Sequence, residues 1–166
     1  MAKRLARFGL LVALCFVFSY LEFLLPLPFG VPGMKLGLSN LVVLVALYSG
    51  GPLTAGAVSL VRILLNGFTF GTPLGMLYSI AGGVLSFLGM WLLYKIRHFS
   101  PVGVSILGGI LHNIGQLSVA FVLLGVAGLI YYAPILLISG AVAGFLVGLV
   151  ASAVLPRLKG VWGRMG

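Results

Sequence analysis

Long apolar runs broken by glycine, proline and basic clusters dominate the pattern of the chain. The runs at 6–26, 36–49, 52–67, 73–95, 101–124 and 131–155 predict six helices. A hydrocarbon core takes roughly 20 apolar residues per helix. The second and third runs are short by that measure, and the "YSGGPL" between them reads as a tight turn within the membrane. The expected fold is therefore all-α: a polytopic membrane protein of about six transmembrane helices, forming one integral membrane domain over residues 1–166. The opening "MAKRLARFGLLVALCFVFSY" is basic and then apolar, like a signal peptide, but no Ala-x-Ala cleavage site follows it. It is expected to stay as the first helix.

Within these runs the rare polar residues are not scattered. At about 100° per residue, Ser105, Gly109, His112, Asn113, Gln116 and Ala120 share one narrow sector of the fifth run, and large aliphatic side chains fill the rest. Ala55, Ser59, Arg62 and Asn66 share a face of the third, and Cys15, Ser19 and Glu22 share one of the first. Lipid contact would leave such groups without hydrogen-bond partners, so each stripe must face protein or a cavity. Arg62 argues most strongly, because an arginine at the centre of a membrane costs at least about 2.5 kcal/mol.

Small residues form a second pattern. Gly140, Gly144 and Gly148, continued by Ser152, put a narrow ridge on the last helix, and Gly71, Gly75, Ser79 and Gly83 form a similar series in the fourth. Both read as seams for close helix packing. Gly9 and Ala13 lie on the first helix away from Glu22, as a small apolar face for a separate membrane subunit or for a seam inside the bundle.

Composition adds the solvent. Of 166 residues, 61% are hydrophobic and 7% charged, which a water-soluble globule could not cover with polar atoms. Ten Lys and Arg against one acid give a formal charge of +9. That excess falls in short breaks, which points to anionic membrane lipid rather than nucleic acid. Lys3, Arg4, Arg7, Lys95, Arg97, Arg157, Lys159 and Arg164 all fall on one side of a six-span topology, so both termini are cytoplasmic. Lys35, in the loop "LPLPFGVPGMKLG", remains outside, where that loop is a candidate lid.

With this orientation Glu22, Lys35, Asn40, Arg62, Asn66 and Gln116 lie in the outer half of the membrane, with His112 and Asn113 near its middle. They are the candidate lining of one outward-facing pocket for a small polar or anionic substrate. Arg62 is the candidate charge partner, and His112, Asn113 and Gln116 the candidate hydrogen-bonders. The competing reading is that these groups only pair with one another, Glu22 with Arg62 above all.

Enzymatic chemistry finds little material. Glu22 is the only acidic side chain, which removes paired-carboxylate catalysis, a Ser-His-Asp triad and an Asp-rich magnesium site. His98 and His112 are too few for zinc, the single cysteine cannot form an intrachain disulfide, and no P-loop occurs. No cofactor or metal is expected, and uphill movement of a solute would need energy from another protein.

The stretches "PGMKLGLSNLVVLVALYSGGPLTAGAVSLVRILLNGFTFGTPLGMLYSIAG" and "FSPVGVSILGGILHNIGQLSVAFVLLG" resemble the Gx transporter family, also labelled heptaprenyl diphosphate synthase component I. That family is similar to the S components of energy-coupling-factor transporters. The resemblance implies a six-helix bundle in a prokaryotic cell membrane, capture of a vitamin-like solute from outside, and the first external loop as a lid. It also implies partnership with an energy-coupling transmembrane subunit and two cytoplasmic ATPases. The Ala-x-x-x-Ala docking pattern of S components has its nearest match in Gly9 and Ala13. Two rival readings stand beside solute capture: a noncatalytic membrane subunit presenting an isoprenoid for polyprenyl diphosphate synthesis, and a scaffold without a ligand.

Overall fold

A computed structural model describes residues 2–24, 37–125 and 127–164. In chain order the helices are α1 (Ala2–Leu24), α2 (Leu38–Thr69), α3 (Pro73–Ile96), α4 (Pro101–Leu124) and α5 (Ala133–Arg164), with a short 3₁₀ turn at Ala127–Tyr132 ahead of α5. Each of the five contains a stretch long and apolar enough to cross a membrane.

The six expected runs are found in these five elements because α2 folds back on itself. Gly51 has φ 83° and ψ 176°, a conformation open to glycine, and Pro52 follows with no N–H to continue the preceding helix. Ser39 and Arg62 stand on opposite sides of this break and are hydrogen-bonded to each other. In an unbroken helix their 23-residue separation would hold them about 35 Å apart. Residues 38–50 and 52–69 are therefore two antiparallel arms, and the "SGGP" turn lies between them. Around it the hydroxyls of Ser49 and Thr54 donate to the carbonyls of Val45 and Gly50, four residues back.

α3 and α4 start by the same device. Thr72 and Ser100 are N-caps whose hydroxyls accept the N–H of Gly75 (3.0 Å) and Gly103 (3.3 Å), and a proline occupies the first turn of each helix. α4 stops at Gly125, whose φ of 61° is the left-handed conformation common at helix ends. α5 extends beyond the expected end at residue 155 and carries Pro156 within it. Pro156 is exposed and lies within the last turns of the helix, where losing one backbone hydrogen bond does not force a break.

α1 packs on α2, while α3, α4 and α5 form a consecutive slab that α2 joins from the side. Glycines set the spacing of the slab. A Cβ on Gly109 would stand against the carbonyl oxygen of Gly140, one on Gly144 against that of Ser105, and one on Gly115 against that of Ala81. The ridge expected on the last helix is thus the α4–α5 seam. The series expected in the fourth run holds only at Gly83, which packs closely against Ile63 of α2. Gly71 precedes α3 and, with Gly75 and Ser79, lines a cavity, while Gly82 and Gly89, outside the series, make the close contacts with α4.

The apolar core lies between the first arm of α2 and its neighbours, with Val43, Leu44, Leu47, Val58 and Val104 almost wholly buried. Leucines and phenylalanines exposed around the outside, such as Leu92 on α3 and Leu53 on α2, suit a lipid surround.

Gly109→Ala is expected to lower stability by at least about 2 kcal/mol, since a carbonyl of the neighbouring backbone cannot move aside as a side chain does. Gly9→Ala, where a Cβ would meet nothing within 4 Å, should leave stability unchanged or slightly raised. Thermal unfolding of the two variants in one detergent checks the contrast.

Candidate functional site

The wall formed by α1 and α2 is assembled around Ser39. α2 begins at Gly37, a left-handed residue with φ 75° and no side chain to cap the helix. Glu22 of α1 supplies the missing acceptor: Leu38 N–H donates to its Oε1 at 2.9 Å, and the Ser39 hydroxyl donates to its Oε2 at 3.4 Å. A carboxylate at a helix N-terminus is favourable both as a hydrogen-bond acceptor and against the helix dipole. Arg62, on the second arm of α2 and 6% exposed, donates from Nη1 to Ser39 Oγ. The Cys15 thiol donates to the Ser39 carbonyl at 3.3 Å. Glu22 and Arg62 are thus linked through one serine, rather than by the direct ion pair weighed from the sequence.

Between this wall and the slab lies a cavity of about 610 Å³, within the ~300–1,000 Å³ usual for small-molecule sites. Glu22, Asn40, Arg62, Asn66, His112, Asn113 and Gln116 all line it, so seven of the eight residues chosen for the pocket are brought together. The eighth, Lys35, lies outside the described residues. The stripe read on the fifth run faces the same space through Ser105, Gly109, His112, Asn113 and Gln116.

These groups are not equally available. Asn113 commits its amide nitrogen to α5, donating to the Leu136 carbonyl at 2.5 Å and standing 3.5 Å from the Ser139 hydroxyl. Nε of Arg62 and Oδ1 of Asn66 are buried with no hydrogen-bond partner among the described residues. An arginine donor in this condition is costly unless something else occupies the space.

Sequence reasoning missed several residues of the wall. Ser39 is the centre of the polar chain, yet in "GLSN" it reads as an ordinary residue of a helix start. Phe70, at the end of α2, gathers Phe16, Tyr20 and Phe23 of α1, with ring centroids 5.1–5.7 Å away. Phe23 and Phe70 also line the cavity. Aromatic residues spaced three and four apart on α1 were a usable signal for this cluster. Gly9 and Ala13 are exposed on α1, so they form no seam inside the bundle.

The helical hairpin, the glycine-welded slab and the polar cavity between them define a class. A solved structure of the S component of a bacterial ECF transporter matches with a TM-score of 0.73 at 25% identity, over 97% of this chain and 98% of that one. The protein has the S-component fold and is a multi-pass cell-membrane protein. The family model described as heptaprenyl diphosphate synthase component I matches residues 11–154, and the chain belongs to that family. It is also 34% identical over 94 residues to the riboflavin transporter RibU of Staphylococcus aureus (strain TCH60), a match covering 56% of this chain. The chain matches about half the length of that relative, 49%.

Glu22→Ala removes the acceptor of Leu38 N–H and the partner of Ser39 together, and should cost about 1–2 kcal/mol of stability. Glu22→Gln keeps an acceptor oxygen and should lose less. Thermal midpoints of the two variants would show the order, and a reversed order would exclude the capping role.

Proposed function

We propose that this protein is the solute-capturing subunit of an energy-coupling-factor type transporter. It takes a small polar or anionic, vitamin-like molecule at the outer face and carries out no catalytic step. Arg62 and Asn66 are the principal contacts; Glu22, Lys35, Asn40, His112, Asn113 and Gln116 complete the candidate set. The supporting observation is that two residues lining a cavity of solute size, Arg62 and Asn66, each bury a polar atom, Nε and Oδ1, with no hydrogen-bond partner among the described residues. The identity shared with a riboflavin transporter makes riboflavin the first molecule to try. The chain has no P-loop, so inward release is assigned to a transmembrane subunit with two ATPases, docked on the exposed small face of Gly9 and Ala13.

The family's description carries a second reading, a noncatalytic subunit that presents an isoprenoid. A polyprenyl tail in the cavity would leave Arg62 Nε and Asn66 Oδ1 against hydrocarbon, a loss that a polar solute avoids.

Native mass spectrometry of the detergent-purified protein tests the choice by releasing and weighing what co-purifies. A polar metabolite is expected, with occupancy in folded Arg62→Ala at least about ten-fold lower, as for loss of a charge-assisted hydrogen bond. A polyprenyl species would favour the isoprenoid reading. A cavity still empty after incubation with riboflavin and related vitamins would leave the polar groups as staples between helices.

A further inference from the structure

Several hydroxyls in the apolar helices of this protein satisfy themselves. Ser49, Thr54, Thr69, Ser118 and Ser152 each donate to the carbonyl four residues back on their own helix. This is the usual refuge of serine and threonine where water is scarce. Like Ser19 of α1, Ser86 of α3 departs from that pattern. It is 2% exposed, and its Oγ has no hydrogen-bond partner among the described residues.

Ser86 also has a definite place in the cavity. Gly83 stands level with Ser59 and Ile63 of α2, next to Arg62. Ser86 lies one turn further along α3, about 4.5 Å deeper toward the inner face. There it lines the cavity with Met90, Ser105 and Gly108. A Cβ on Gly108 would come within 3.3 Å of its Oγ and closer still to Met90. The absence of side chains at Gly108 therefore keeps the hydroxyl clear on the α4 side. A buried hydroxyl left without a partner at a cavity wall is a cost to the empty protein, one that a solute able to hydrogen-bond to it would relieve.

We infer that Ser86 is a solute-contacting residue: it forms an inner hydrogen-bonding pole, deeper than Arg62, that reads the buried end of a flavin-sized solute. The inference rests on the capture reading and narrows it. The solute carries hydrogen-bonding groups at both ends, one met by Arg62 and Asn66 and the other by Ser86. A molecule with a purely apolar buried end would leave Ser86 as it is in the empty protein and gain nothing from it.

The experiment uses the full-length protein in detergent, with riboflavin as the probe and quenching of its fluorescence as the signal. S86A removes the hydroxyl, and S86C removes the strong donor while keeping nearly the same volume. Both are expected to bind riboflavin about five- to ten-fold more weakly than the wild type, as for loss of one net hydrogen bond. Without riboflavin, their thermal midpoints should equal or exceed that of the wild type, because the hydroxyl they lack has no partner to lose. Unchanged riboflavin affinity in both variants would overturn the inference while leaving capture intact. A lowered midpoint in both riboflavin-free variants would also overturn it, by showing that Ser86 holds the bundle together. A wild type that does not bind riboflavin would overturn flavin capture, and the inner pole with it.

Discussion

A guanidinium inside a bilayer must be held by something, and much of this structure can be traced to how Arg62 is held. Its Nη1 needs an acceptor at the same depth, and Ser39 is there only because the chain reverses at Gly51 and returns beside itself. Ser39 in turn donates to Glu22, which also occupies the bare start of α2. One reversal thus places the single acidic side chain, the central arginine and an uncapped helix end where each relieves another. Charge is balanced without a direct ion pair, and Nε of the guanidinium is left without a partner among the described residues.

The opposite side of the cavity follows another logic. α3, α4 and α5 approach through glycines until backbone meets backbone, and they need few polar groups between them. Asn113 is the exception, tying α4 to the Leu136 carbonyl. The polar stripe of α4 both meets α3 and α5 in this slab, at Gly109, His112 and Asn113, and lines the cavity through Ser105, His112 and Gln116. A cavity of this size persists because the helices that hold the polar groups are spaced by different rules on its two sides.

Much of this was legible in the chain. Apolar runs with proline and glycine between them located the helices, and "SGGP" marked the reversal because few other sequences can turn a helix so abruptly. Helical spacing put Arg62 with Asn66, and His112 with Gln116, on inward faces. Other features depend on how helices are rotated against one another, which periodicity within one helix does not contain. Gly75 and Ser79 belonged to an apparent packing ridge but line the cavity, whereas Gly82 and Gly89 make the contacts. Ser86 looked like any serine in an apolar helix, since only the neighbouring backbones reveal that its hydroxyl is unused. The pairing of Glu22 with a backbone N–H left no trace in side-chain chemistry.

The glycine seam has a consequence for entropy. Joining two helices through large side chains freezes rotamers, and each buried leucine or isoleucine surrenders about 0.5–1 kcal/mol of conformational freedom. At Gly109, Gly140 and Gly144 there is no side chain to freeze, because the contacting atoms belong to backbones already fixed by their own helices. In a solvent where apolar contact with lipid is nearly as good as contact with protein, that saving becomes a main term in favour of association. The slab is held together less by what its seam adds than by how little its formation takes away.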